Sequence, residues 1–385
     1  MEFDITDILE DDSISDQDLL KKVLSEDDQE NESDDDSNAV EAANSIDAHE
    51  LLCRLRMWHE NCKNLLIDLR TISYYASAED SYVEFNDKQY YSDRLYFKID
   101  PENPKDAKTI HATKQLCKII GIPFSFFASC RPTLKMNVIR TWQAGLAEDT
   151  KKAQNNVSIR ESKGCSIIRA FSPLTKFIIP LHEFIQIILD TITIPVTLDC
   201  VSGDNKDDLV LHARFMFEKE YNFHGAVCLG FAITASELNA CPLTIDVLLH
   251  NKVSNTSCVA SYGGEPFFKS DYTGLQPSSI KEVIPIMLNR LDEEIPEFFE
   301  RMHGKQNESD FCAETSALEI CRTKGLTSKM KKAIYHQVSE CLDDVKNPWD
   351  LARHVGLVAK DFDALKRIQI ERAVGTYLNL FFAKE

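Results

Sequence analysis

The sequence predicts an α+β protein: a central antiparallel sheet flanked by helices, a helical C-terminal subdomain, and a disordered acidic arm at the N-terminus. Three observations predict it. Residues 1–50 of the 385 hold 19 acidic side chains against Lys21 and Lys22, too much like charge and too little apolar surface for a core. The middle of the chain alternates apolar and polar residues between turn-rich loops, the period of half-buried strands. From Ser278 onward, apolar residues recur every three to four positions, the period of helices. These shifts divide the chain into an arm over 1–45, an α+β body over 46–303 and a helical subdomain over 304–385.

The elements follow in order. Within the arm, two apolar islands interrupt the charge: Phe3, Ile5, Ile8 and Leu9, then Leu19, Leu20, Val23 and Leu24 behind a possible cap at Ser15 or Asp16. Each island would gather on one side of a short helix, which suits a peptide that folds on a partner; a solubilising tail is the plainer alternative. From Ile46 to Leu69 the period is helical. Strand-like pieces follow at Tyr82–Phe85 and Leu95–Ile99, then a helix near Lys105–Ile120 that stops at Gly121 and Pro123, and another around Thr133–Leu146. A hairpin joins Val157–Arg160 to Cys165–Phe171. An amphipathic helix turns Leu181, Phe184, Ile185, Ile188 and Leu189 inward. A second hairpin joins Pro195–Val201 to Leu209–Phe217 through a polar loop. On the latter strand Leu209, Leu211, Ala213, Phe215 and Phe217 share one face, while His212 and Arg214 share the other, which must be wet or covered. Strands at Ala226–Thr234, Leu243–Asn251 and Ser257–Tyr262 complete the sheet. Helices are expected at 278–303, 312–322, 327–343, 348–358 and 361–383.

Charge is unevenly spread. The net charge is −19, of which residues 1–50 carry −17, so the remaining 335 residues sum to −2. No apolar run reaches the roughly 18–20 residues that span a bilayer, so no membrane partner is expected. An acidic N-terminus is unlike a secretory signal. The 12 cysteines are nowhere closer than nine residues, which excludes a C-x-x-C zinc ribbon and suits reduced core thiols. There is no Walker loop, G-x-G-x-x-G, G-x-S-x-G or H-E-x-x-H, and His182-Glu183 lacks a second histidine four residues on. With 10 histidines and 12 cysteines, a chance Cys/His encounter is expected and is no sign of catalysis. The expectation is a non-enzymatic protein with no cofactor and no metal.

What stands out is a basic block. Residues 105–176 contain 13 Lys/Arg and 4 Asp/Glu, a net +9 in a body whose remainder is −11. On the expected 105–120 helix, Lys108, His111, Lys114, Gln115 and Lys118 form one polar stripe opposite Ile110, Leu116 and Ile120. Phe124, Phe126, Phe127 and Trp142 are interleaved with the charge. Cations follow phosphates and aromatic faces stack on splayed bases, so this is the composition of a single-strand groove. Basic helix faces are also commonly just solvated, and Phe124–Phe127 beside Gly-Ile-Pro would equally plug a core.

Several stretches resemble, in order, the phage and plasmid family catalogued as domain of unknown function 932. They are Leu116–Phe124 (LCKIIGIPF) with Arg131-Pro132-Thr133-Leu134 and Val138–Trp142; Ile167–Leu174 (IIRAFSPL); Gly230–Ile233 with Ser236-Glu237-Leu238; Val253–Thr256; and Trp349-Asp350-Leu351 through Ile370–Gly375. The resemblance covers about 105–380. Ser254 stands where the family tends to have Cys, Thr256 where it has Gly, and Asn239 in place of the glycine after Ser-Glu. Ser236 and Glu237 at the end of an apolar strand, with Asn255, could form a buried polar cluster that satisfies loop backbone or contacts a ligand. The resemblance implies a bacteriophage or mobile-element protein in the host cytoplasm and supplies no biochemical activity.

The resulting expectation is a phage DNA-metabolism protein. Lys108, Lys114, Lys118, Arg131, Lys135 and Arg140 would hold the phosphates of single-stranded DNA, and Trp142 would stack on a base. The arm, through Phe3, Ile5, Ile8 and Leu9, would recruit a phage or host replication, recombination or transcription protein. The alternative is a protein-interaction module that inhibits or redirects a host factor, with the arm as polyanion mimic.

Overall fold

The computed structural model describes residues 48–60, 62–76, 81–85, 88–91, 111–145, 153–162, 165–176, 179–192, 196–202, 210–222, 225–259, 265–304, 311–362 and 364–383. The acidic arm with Phe3, Ile5, Ile8 and Leu9, together with Lys108 and the expected strand at Leu95–Ile99, lies outside them.

The α+β expectation holds, with two sheets where one was expected. Sheet A contains β7 (Val196–Ser202), β8 (Leu211–Asn222), β9 (Ala226–Ala235), β10 (Leu243–Asn251) and β11 (Thr256–Val259) in sequential antiparallel order, with β12 (Phe268–Ser270) also paired to β10. Sheet B is built from β1 (Cys62–Asp68), β2 (Ser73–Ala76), β3 (Ser81–Phe85), β4 (Lys88–Tyr91), β5 (Gln154–Ser162) and β6 (Cys165–Pro173) in the order β1-β5-β6-β4-β3-β2. Its one parallel pairing among the described residues is β4 with β6. Ten α-helices among the described residues are α1 (Ala48–His59), α2 (His111–Ile120), α3 (Phe124–Ser129), α4 (Pro132–Gly145), α5 (Leu181–Thr191), α6 (Pro277–Gly304), α7 (Ala313–Cys321), α8 (Ser328–Glu340), α9 (Pro348–Ala359) and α10 (Ala364–Ala383).

One segment changes type. The helical period expected over 46–69 ends at His59, and Cys62–Asp68 pairs along its whole length with β5, from Cys62↔Arg160 to Asp68↔Gln154. Ile67 and Leu69 are buried two residues apart, whereas Leu66, inward on the helical reading, is 61% exposed. A period of two was hidden because Leu65, Leu66, Ile67 and Leu69 fit both patterns, and long-range pairing decided between them.

The core has two main parts. Leu65, Ile67, Leu69, Val157, Ile159 and Phe171 of sheet B and its adjoining turn pack with Leu116, Phe127 and Ile139 from α2, α3 and α4. A larger cluster joins Phe215, Phe231, Ile245 and their neighbours on sheet A with apolar residues of α1, α5, α6 and all of α7–α10. The helices expected to form a subdomain over 304–385 therefore share one continuous core with sheet A. Packing sheet A between helices is what buries both faces of β8: Phe215 faces the apolar cluster, and His212 and Arg214 on the other face are fully buried. Of the two outcomes open to that polar face, it is the covered one.

Candidate nucleic-acid interface

The basic block folds as a helical layer over sheet B. Gly121, with φ +73°, ends α2, and its neighbour Ile122 donates a backbone hydrogen bond to the Cys117 carbonyl at 2.9 Å. That is the left-handed helix stop for which glycine is suited. Pro123 and Pro132 then lead into α3 and α4, where a missing N–H costs least. Two glutamines anchor the layer. The Gln115 side chain donates to the Leu238 carbonyl at 2.7 Å and accepts from the Phe171 N–H at 2.8 Å, and Gln143 donates to the carbonyls of Leu69 and Ile72 at 2.8 and 2.6 Å. His111 Nε2 donates to the same Leu238 carbonyl at 3.0 Å, and burial pushes its pKa below the ordinary histidine value.

With Leu116, Ile120, Phe127 and Ile139 turned inward, the outer side keeps the polar residues. From His111 to Gly145 there are five Lys/Arg and no Asp or Glu. Lys114, Lys118, Arg131 and Arg140 are exposed, and Lys135 is half-buried. The Lys114 ammonium sits 5.4 Å from the centre of the Phe124 ring and the Lys135 ammonium 5.6 Å from that of Phe127. These cation–π contacts place a charge on each side of α3. At 100° per residue, Arg131 and Lys135 lie on one flank of α4 and Arg140 on the other. Trp142 is half-buried against the sheet B core, while Phe126, 52% exposed, and Leu134, 45% exposed, face outward.

The segment Ser236–Asn239 joins the two sheets. Ser236 Oγ accepts from the backbone N–H of Leu238 (3.2 Å) and Ala240 (3.0 Å), the loop-satisfying use expected of it. Glu237 pairs with Arg169 of β6 at 2.7 Å, and the Asn239 amide donates to Ser172 Oγ of β6 at 2.7 Å. Asn239 has φ +55°, a left-handed conformation that asparagine and glycine tolerate, which is a physical reason for either residue to follow Ser-Glu here. The expected link to Asn255 is not formed. Thr244 pairs with Thr234 just before Ser236, whereas Asn251 pairs with Val227, so Asn255 beyond it turns at the opposite end of the sheet.

Two polar clusters were not assembled by sequence reasoning. The first gathers His59, Cys62, Arg169 and Glu237 at the sheet junction. The second lies under α10, where Arg214 meets Glu371 at 2.6 Å and Arg372 grips Asp246 with two bonds of 2.7 Å. The available signals were the spacing of His59 and Cys62, three residues apart, and the arginine in the polar phase of an alternating strand. The partners, more than 100 residues away in the chain, carried none.

Among the described residues, no helix is long and apolar enough to cross a membrane. Ten of the cysteines, Cys62 among them, are free thiols. Fold and site together define an α+β protein with two mainly antiparallel sheets and a carboxylate-free helical face. Compared with family models, curated proteins and solved structures, the chain finds no match. The resemblance set out above thus rests on its own residues.

Proposed function

We propose that this is a bacteriophage DNA-metabolism protein that binds single-stranded nucleic acid on the face of α2, α3 and α4 and recruits a replication, recombination or transcription protein through its acidic arm. The observation that carries this reading is the run from His111 to Gly145, five cations without one carboxylate, in a chain of net charge −19. Random scatter of 62 acidic residues over 385 would place several in a 35-residue stretch. Lys114, Lys118, Arg131 and Lys135 contact phosphates around α3, Arg140 extends the charge along the other flank of α4, and Lys108 adds one more cation just before α2 in the sequence. Phe126 is the most open ring for stacking, and Trp142 supports the surface from its half-buried position.

The test is anisotropy of a labelled single-stranded oligonucleotide. Neutralising about four phosphates gives a salt slope near −0.7 per phosphate, so affinity falls about 50-fold between about 50 and 200 mM salt. Lys114→Glu with Lys118→Glu abolishes measurable binding at the higher salt while circular dichroism stays unchanged. Binding that ignores both salt and the double variant would sink the reading. It would favour the alternative, a module that inhibits or redirects a host factor through the −17 arm.

A further inference from the structure

We infer that His59, Cys62 and Glu237 form a zinc-type metal site that staples sheet A to sheet B. This goes beyond the nucleic-acid reading and does not depend on it. One donor atom from each of the three lies within 4.8 Å of the others. Zinc bond lengths of about 2.0–2.3 Å place tetrahedral ligand atoms about 3.3–3.6 Å apart, so a small closing movement completes the shell.

The chemistry of each donor fits. Arg169 Nη1 donates to both Cys62 Sγ at 3.0 Å and Glu237 Oε1 at 2.7 Å. A guanidinium can only donate, so the sulfur accepts, as a thiolate ligand must. Glu237 is left with Oε2, which faces His59 Nδ1 at 3.7 Å and receives only a long bond of 3.5 Å from the Leu181 N–H. That Nδ1 is buried and makes no hydrogen bond. A separation of 3.7 Å is too long for a hydrogen bond and close to the span between two ligands of one ion. Three protein donors leave the fourth position of a tetrahedral ion to a water molecule.

Nitrogen, sulfur and oxygen donors together suit a borderline-soft divalent ion such as Zn²⁺. The ion with one thiolate and one carboxylate is neutral, and Arg169 becomes an outer partner that fixes both anionic ligands. The ligands come from the end of α1, the start of β1 and the loop after β9, so the site cross-links elements more than 170 residues apart in sequence.

The experiment uses the full chain, stripped of metal and titrated with Co²⁺ and then Zn²⁺. Expected is a sulfur-to-cobalt charge-transfer band that saturates at one equivalent, visible ligand-field bands of tetrahedral intensity, and displacement of both by Zn²⁺. The carboxylates of the arm cannot produce a sulfur band. Cys62→Ser removes the band, Glu237→Gln weakens binding at least about tenfold, and Cys312→Ser changes neither. On the unaltered protein, one equivalent of Zn²⁺ slows alkylation of Cys62, read by peptide mass spectrometry, and raises the unfolding temperature. No sulfur band in the folded chain, a band that survives Cys62→Ser, or alkylation of Cys62 indifferent to Zn²⁺ would overturn the site.

Discussion

Arg214 is fully buried on the polar face of β8, and its partners show why that is tolerable. Its Nη2 meets Glu371 at 2.6 Å, Arg367 Nε meets the other carboxylate oxygen at 3.1 Å, and its Nε donates to His212 Nε2 at 3.3 Å. Arginine cannot accept, so this assigns the His212 proton to Nδ1, which donates to Thr234 Oγ1 at 2.9 Å. Burial, with Arg214 and two further arginines nearby, drives the His212 pKa well below the ordinary value. Removing one member of such a pair leaves a buried charge uncompensated. Glu371→Gln is therefore expected to cost about 3–5 kcal/mol by urea unfolding, and Arg214→Met combined with Glu371→Met to recover much of it. A single-variant loss under about 1 kcal/mol would show that the pair does not hold the helix to the sheet. Nearby, burial and Arg214 lower the His250 pKa to about 4. A histidine whose folded pKa is depressed stabilises fully above its unfolded pKa of about 6.5, and that stability drains away as pH falls toward 4. The drop approaches about 3 kcal/mol at about 1.36 kcal/mol per pKa unit. Stability measured from pH 7 to 5 should slope downward, less steeply in His250→Gln; equal slopes would exclude the effect.

At the scale of elements, α9 and α10 press unusually close to β11. A Cβ on Gly375 would stand 1.6 Å from the Val259 carbonyl oxygen, and one on Gly356 would stand 2.7 Å from Thr256 Cβ. These glycines have ordinary helical backbones, so close approach, not turn geometry, is what requires them. Just before β11, Asn255 takes a left-handed φ of +53°. Gly375→Ala should destabilise by about 3 kcal/mol or more, because backbone on both sides must move. Gly145→Ala, with nothing within 4 Å, should instead stabilise by up to about 1 kcal/mol. Melting curves of the two variants moving in the same direction would contradict this packing.

The whole molecule is two sheets, each with its own core cluster, joined through Ser236–Asn239 and through α2, whose Gln115 bonds to both β6 and Leu238. The basic face therefore rests on the element that bridges the halves. Against it stands an arm carrying −17 within 50 residues. As a corollary of the proposed function, an arm of that charge would compete with nucleic acid for the +5 face. In the same anisotropy titration, a chain beginning at Ile46 should bind the oligonucleotide more tightly than the full chain at about 50 mM salt, with the difference shrinking at about 200 mM. Equal affinity at both would leave the arm to partner recruitment alone.

The elements with a clean period were legible in the sequence. The β10 limits, the β5–β6 hairpin, the inward face of α5 and the five C-terminal helices follow from apolar spacing, because local burial alone sets that spacing. The exposed Lys114 and Lys118 of α2 and the Gly121 stop were legible too, whereas His111 and Gln115, expected on the same polar stripe, turn inward to bond the Leu238 carbonyl. Three things depended on contacts that no local pattern encodes. β1 became a strand because β5 was there to pair with it. The polar face of β8 was covered because α10, more than 140 residues later, supplied Glu371. His59, Cys62, Arg169 and Glu237 met only where two sheets join. Periodicity records which side of an element is buried; only the tertiary structure decides what buries it, and charge and metal-ligand chemistry depend on that second fact.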